Sequence, residues 1–180
     1  CGFLPALSIV GEKESGSIEQ INVTPVSRFT FILSKLVPYW IIGLFVLTIA
    51  MLVARFVYGL TPVGSIGAIY LGAILFILTI SGFSLTIANF SDTMQQTMFV
   101  MFFFIMIFML MSGLLTPIDS MPAWAQRFTL ILPPRPFVEI LRSVYLKGTS
   151  ISELWMAYSA LGGFAIVFNI LAAVTYKKRM

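Results

Sequence analysis

LVPYWIIGLFVLTIAMLVA, residues 36–54, stands between Lys35 and Arg55 and contains no charge. An α-helix rises about 1.5 Å per residue, so these residues nearly cover the ~30 Å hydrocarbon core of a bilayer. A charge at the centre of that core costs roughly 2.5–3.5 kcal/mol, which puts the flanking Lys35 and Arg55 at its edges. The stretch reads as a membrane-spanning helix, with Pro38 turning the chain into the bilayer.

Working outward, the same test finds three more spans. The uncharged run 56–91 is too long for one helix, and the turn-like GLTPVGS at 59–65 divides it. Spans are expected at about 36–56, 66–90, 93–116 and 154–176, the third lying between Asp92 and Asp119 and the fourth between Glu153 and Lys177. Barrel strands would need about ten residues each with in–out alternation, which these runs lack. Composition agrees. The chain is 59% apolar and 10% charged, with mean hydropathy +1.00, where soluble domains carry about 45–50% and 25%. The expected fold is all-α, a polytopic transmembrane helical bundle whose membrane domain occupies 36–180.

Residues 1–11 (CGFLPALSIVG) are too short to span and read as the end of a truncated transmembrane helix; a processed lipoprotein cysteine is the alternative for Cys1. Gly43, Gly67, Gly72, Gly82, Gly162 and Gly163 lie in or beside spans, where small residues let helices approach closely. MFVMFFFIMIFMLM at 98–111 reads as lipid-facing or core surface rather than as a pore lining.

Two non-spanning regions carry more information. In 12–35, Ser17 and Gln20 have capping-box spacing, which starts a short helix at Ile18, and Pro25 ends it. A second helix from about Ser27 places Phe29, Ile32, Leu33 and Leu36 on one stripe, as an interfacial helix would. In 116–153, Pro122 suits a first helical turn, Trp124, Phe128 and Ile131 share a face, and Pro133 and Pro134 interrupt. A further amphipathic helix fits 136–147, with Phe137, Ile140, Leu141, Val144 and Tyr145 on one side. Arg135–Glu139 and Glu139–Arg142 have ion-pair spacing, and Gly148 is a natural stop.

Four spans put 12–36 and the tail on one side. That side holds Lys13, Arg28, Lys35, Lys177, Lys178 and Arg179, against Arg55, Arg127, Arg135, Arg142 and Lys147 opposite. The dense KKR tail favours the cytoplasm for the first set. The sequons at Asn22 and Asn89 fall on that same side and carry little weight.

Several chemistries are excluded. The chain has no histidine, so it has no histidine triad or histidine metal site. No Asp or Glu lies inside a span, which argues against proton-coupled transport and intramembrane aspartyl proteolysis. No G-x-x-x-x-G-K-[ST] is present. One cysteine permits no internal disulfide, and a net charge of +4 does not argue for nucleic acid. No catalytic, metal or cofactor residues are expected.

GEKESGSIEQINVTPVSR, residues 11–28, resembles the cytoplasmic signature of ABC-2 type transporter permeases, roughly E-[RK]-E-x-G-[ST]-x-E-x-[LI]-x-[VA]-[TS]-P. Glu12, Lys13, Glu14, Gly16, Ser17, Glu19, Ile21, Val23, Thr24 and Pro25 match it. Lys35-Leu36-Val37-Pro38-Tyr39 is similar to the family's lysine–proline start of the next helix. SGLLTPIDSMPAWAQRFTLILPPRPFVEILRSVYLKG, residues 112–148, resembles the family's second marker, with M-P-x-W and an R-x-x-x-L-K-G ending filled by Arg142, Lys147 and Gly148. The first span, an external domain and most of the second span would lie outside this chain.

The resemblance implies a permease subunit in the bacterial inner membrane, paired with a separate ABC ATP-binding subunit that binds the ATP, and with a second permease as homo- or heterodimer. Residues 12–25 would be the coupling helix, Ile18 and Ile21 forming an apolar anchor inside a rim of Glu12, Lys13, Glu14 and Glu19; a solvated loop is the plain alternative. Pro122, Trp124, Pro133, Pro134, Glu139, Arg142, Lys147 and Gly148 would belong to external re-entrant helices; an interfacial connector is the alternative there. A membrane-embedded scaffold or assembly factor without a transport path is the competing function. A membrane enzyme comes third, lacking a nucleophile–base pair.

Overall fold

The computed structural model describes residues 2–16 and 27–178. Its regular elements are all helical: α1 (Phe3–Glu14), α2 (Arg28–Tyr58), α3 (Ile66–Phe90), α4 (Met94–Met111), a 3-10 turn at Ile118–Ser120, α5 (Ala123–Thr129), α6 (Pro134–Arg142), a π turn at Ser143–Lys147 and α7 (Trp155–Lys178). No strand occurs among the described residues. Among the described residues, four helices are long and apolar enough to cross a membrane: Phe29–Tyr58, Ile66–Phe90, Met94–Met111 and Trp155–Tyr176.

α3 is the hub, with α7 lying along its length and α1, α2, α4 and α6 touching it from other sides. Small residues make this possible. Ala68, Gly72, Ala73, Ser81, Gly82, Ser84 and Ala88 are all buried on α3. A Cβ built at Gly82 would come within 2.8 Å of Phe168 C and Asn169 N, so the two backbones nearly touch there.

Polar side chains then fasten α3 to α7 from end to end. Tyr158 Oη donates to Ala68 O at 2.7 Å, and Thr79 Oγ1 shares its proton between Leu75 O at 2.8 Å and Leu161 O at 3.2 Å. Asn169 Nδ2 donates to Leu78 O at 3.1 Å, and Asn89 Nδ2 to Ala172 O at 3.0 Å. The contact moves from Ala68 and Tyr158 at one end to Asn89 and Ala172 at the other, so α3 and α7 run parallel. A hydroxyl or amide in hydrocarbon has no water to fall back on, yet each such bond nets only about 0.6–1.7 kcal/mol in membrane proteins. Tyr158→Phe should therefore lower stability by about 1 kcal/mol, read as a shifted midpoint in a detergent-unfolding titration of the full-length protein. No shift would show that this bond carries none of the α3–α7 attachment.

α2 differs from the expectation. A separate interfacial helix before Pro38 was expected; instead one helix of 31 residues runs through Pro38. Its start is fixed by Ser27, whose Oγ accepts from Thr30 N at 3.3 Å. Its end is Gly59 in the left-handed region, φ 65°, with Leu60 N donating to Ala54 O at 3.0 Å. Proline costs a helix one hydrogen bond, but the α2 turns before Pro38 are held from outside. The expected stripe is split accordingly: Leu36 is buried with α1 and Ile32 packs on that cluster, whereas Phe29 is exposed. Only 6% of the apolar window of α2 is buried.

α4 also ends earlier than the expected 116. Ser112 N donates back to Phe108 O at 3.0 Å, and Gly113 takes φ 82°, a left-handed value that suits glycine and turns the chain out of the helix.

Candidate functional site

The Glu12-Lys13-Glu14 motif is the last turn of α1 rather than part of a loop. Pro5, Ala6, Ile9 and Val10 are buried, and i, i+4 spacing puts Lys13 above Ile9 and Glu14 above Val10 on that packed side, so the charges are delivered to fixed places. Each meets a different helix. Glu12 Oε1 pairs with Lys35 on α2, and Lys35 also donates to Ser8 Oγ at 3.2 Å. Lys13 Nζ donates to Ala88 O at 2.7 Å, with Asn89 O at 3.4 Å. Glu14 Oε2 accepts from Met94 N at 2.9 Å. The signs match the helix ends they touch: a cation at the carbonyl-rich C-terminus of α3, a carboxylate at the N-terminus of α4. The side chains of Lys35 and Glu12 are 20% and 29% exposed, so water screens the pair only in part. Glu12 Oε2 is buried without a hydrogen-bond partner among the described residues.

Gly16 closes the turn with φ 72°, its N–H donating to Lys13 O at 3.2 Å. The helix thus continues three residues beyond the boundary expected after residue 11. Ser17, Ile18, Glu19, Ile21, Thr24 and Pro25 lie outside the described residues.

At the opposite end the chain between α4 and α7 folds onto α3. Pro122 is the N-cap of α5; Trp124 and Phe128 on that helix and Ile131 in the turn after it are all exposed. Pro133 and Pro134 are buried and begin α6, Pro134 being its first residue. Ile140 and Val144 are fully buried, with Phe137, Leu141 and Tyr145 packed on the same cluster. Phe137 stacks on Phe76 of α3 at 4.4 Å between ring centroids. Gly148, φ 68°, ends the π turn. Val144 O and Tyr145 O accept from Gly64 N at 3.0 Å and Val63 N at 3.2 Å, and Tyr145 Oη donates to Leu60 O at 3.0 Å. The α2–α3 connector is therefore tied to the π turn. The expected ion pairs of Glu139 do not form. Arg135 donates instead to Thr129 Oγ1 at 2.7 Å and Gln126 O at 3.1 Å, and Arg142 to Gly113 O at 3.2 Å. Carbonyls left open by the α4 and α5 turns outcompete a solvated carboxylate for these guanidinium groups.

Residues 1–174 match the family described as ABC-2 family transporter protein. The chain belongs to the ABC-2 transporter family. It is 33% identical over 153 residues to the probable multidrug ABC transporter permease YbhR of Escherichia coli (strain K12), covering 85% of this chain and 42% of that protein. It is 30% identical over 182 residues to the probable multidrug ABC transporter permease YbhS of the same organism, 99% of this chain and 48% of that protein. The inner membrane transport permease YhhJ of Escherichia coli (strain K12) is 24% identical over 179 residues, covering 97% and 47%. The ABC-2 chain thus spans about half the length of these relatives.

In this ABC-2 chain the signature charges were visible in the sequence, but their partners were not. Ala88 O and Met94 N are backbone atoms, which no side-chain pattern announces. Thr79, Asn89, Tyr158 and Asn169 were also missed. The available signal was their presence as hydrogen-bonding side chains within otherwise apolar spans.

Proposed function

We propose that this chain belongs to the membrane-spanning permease subunit of an ATP-driven ABC exporter of the bacterial inner membrane. A separate ABC ATP-binding subunit binds and hydrolyses the ATP; the permease contributes no catalytic residue, metal or cofactor. A second permease, identical or related, completes the dimer, and membrane lipid surrounds it without any part for nucleic acid. The segment 12–25 is the coupling element that receives the ATPase, and 122–147 supplies re-entrant helices that close the outer end of the path. The names of YbhR and YbhS support a multidrug cargo.

The observation that carries this reading is the Glu12–Glu14 turn. Its charges reach α2, α3 and α4 together, so a push on the residues that follow is passed to three helices at once. A scaffold would need no such connection.

The test uses the full-length permease co-expressed with its ATPase. Ile18→Asp removes the apolar anchor and should lower ATPase co-purification at least tenfold, a loss of about 1.4 kcal/mol or more, while membrane insertion is unchanged. Inverted vesicles carrying both wild-type subunits should accumulate ethidium with ATP, and vesicles carrying the permease alone should not. Unchanged co-purification refutes the coupling role; ATP-independent, gradient-driven uptake by the permease alone refutes the ABC mechanism.

A further inference from the structure

A cavity of about 330 Å³ opens where α4 gives way to the 3-10 turn and α6 passes beside it, and Asp119, Arg135, Glu139, Arg142 and Lys147 all line it. Five charges facing one space would ordinarily neutralise each other. None of these five, however, forms an ion pair with another within 4.0 Å. Arg135 and Arg142 are steadied instead by hydrogen bonds to Thr129 Oγ1, Gln126 O and Gly113 O, and neither has a carboxylate within 4.0 Å among the described residues.

The depth of the cavity is set by α4. Its 18 residues at about 1.5 Å each are about the thickness of the hydrocarbon core, and the cavity begins at Ser112, directly after the helix. It therefore sits at headgroup level. Leu114, Leu115 and Leu146 are 59%, 61% and 61% exposed, on the segments that flank it, and offer apolar contact to acyl chains.

We propose that this cavity binds a phosphodiester that also bears a primary ammonium, as the headgroup of phosphatidylethanolamine does. The phosphate lies toward Arg142 and Lys147, and the ammonium donates to Asp119 and Glu139. Charge-assisted hydrogen bonds of this kind are about twice as strong as neutral ones. A purely anionic headgroup would leave both carboxylates without a cationic donor, and a trimethylated ammonium has no N–H to give them. The inference depends on the membrane placement of α4 and not on any ATPase, so it can fail or hold separately from the transport reading.

Native mass spectrometry of the full-length permease with its ATPase, prepared in equal mixtures of three lipids, tests it. Phosphatidylethanolamine should be retained at least fivefold over phosphatidylglycerol and phosphatidylcholine. Glu139→Gln and Lys147→Gln, both at exposed side chains, should each cut that retention at least threefold with an unchanged size-exclusion profile. Displacement by millimolar glycerophosphoethanolamine would support the site with a soluble zwitterion as ligand. Selective retention without displacement would support it with the lipid as ligand. Equal retention of the three lipids, a preference for phosphatidylglycerol, or no change in either variant overturns the proposal.

Discussion

Gly82→Leu in the full-length permease is expected to leave less than a fifth of the wild-type yield of monodisperse protein. Even a lone Cβ at this position would stand 2.8 Å from Phe168 C and Asn169 N. Those atoms are backbone and cannot swing aside, so α7 must move away from α3. Overpacking of this kind costs about 1–3 kcal/mol. The retreat also strains the bonds of Asn169 to Leu78 O and of Thr79 to Leu161 O, at about 0.6 kcal/mol each. Gly162→Leu is the control, because nothing lies within 4 Å of a Cβ there. Size-exclusion of detergent extracts decides the matter. Equal yields from the two variants would mean that α3 and α7 are not in backbone contact at Gly82.

Reversing the charge at Lys35 should have the second large effect. Lys35→Glu places two carboxylates where an ion pair stood and strands Ser8 Oγ. Two unit charges 4 Å apart interact by about 4 kcal/mol at an effective dielectric of ~20, and partial exposure reduces this. The second oxygen of Glu12 is buried without a hydrogen-bond partner among the described residues, so the pair with Lys35 is the one polar contact of its side chain there. A fall of about 5 °C or more in the thermal unfolding midpoint is expected. The double swap Glu12→Lys with Lys35→Glu should recover at least half of it, leaving the Ser8 contact and the Lys35 placement over the Phe31 ring, 5.4 Å from its centroid, unrestored. A reversal without effect, or a swap no better than the reversal, would remove the pair from any account of how α1 holds α2.

The same two sites show what a sequence can and cannot disclose in a bilayer protein. Spans were legible because charge is so costly in hydrocarbon that Arg55, Asp92 and Glu153 stand near helix ends, although Lys35 proved to lie inside α2. The face of α6 was legible because Phe137, Ile140, Leu141 and Val144 recur at helical spacing. Gly148 announced its own turn. Pro38 misled, since a missing N–H reads as a helix boundary in isolation, whereas the turns before it are held by Lys35 and by Leu36. Glu139 misled for a related reason: helical spacing offers it two arginines, but both find carbonyl or hydroxyl acceptors from residues 113–129. Lys13 and Glu14 were legible as a motif and illegible as fasteners, because their partners are main-chain atoms 75 and 80 residues away.

One consequence follows from the way α2 is attached. With little of its flank buried, it is secured at separate points: Lys35 near one tip, Trp40 Nε1 to Ser81 Oγ at 2.7 Å, Thr48 Oγ1 to Tyr70 Oη at 2.6 Å, and the connector pinned to the π turn at the other tip. Rivets of this sort let go singly, whereas the α3–α7 seam must part along its whole length. The bundle thus has a stiff keel and a plank that can be loosened one fixing at a time.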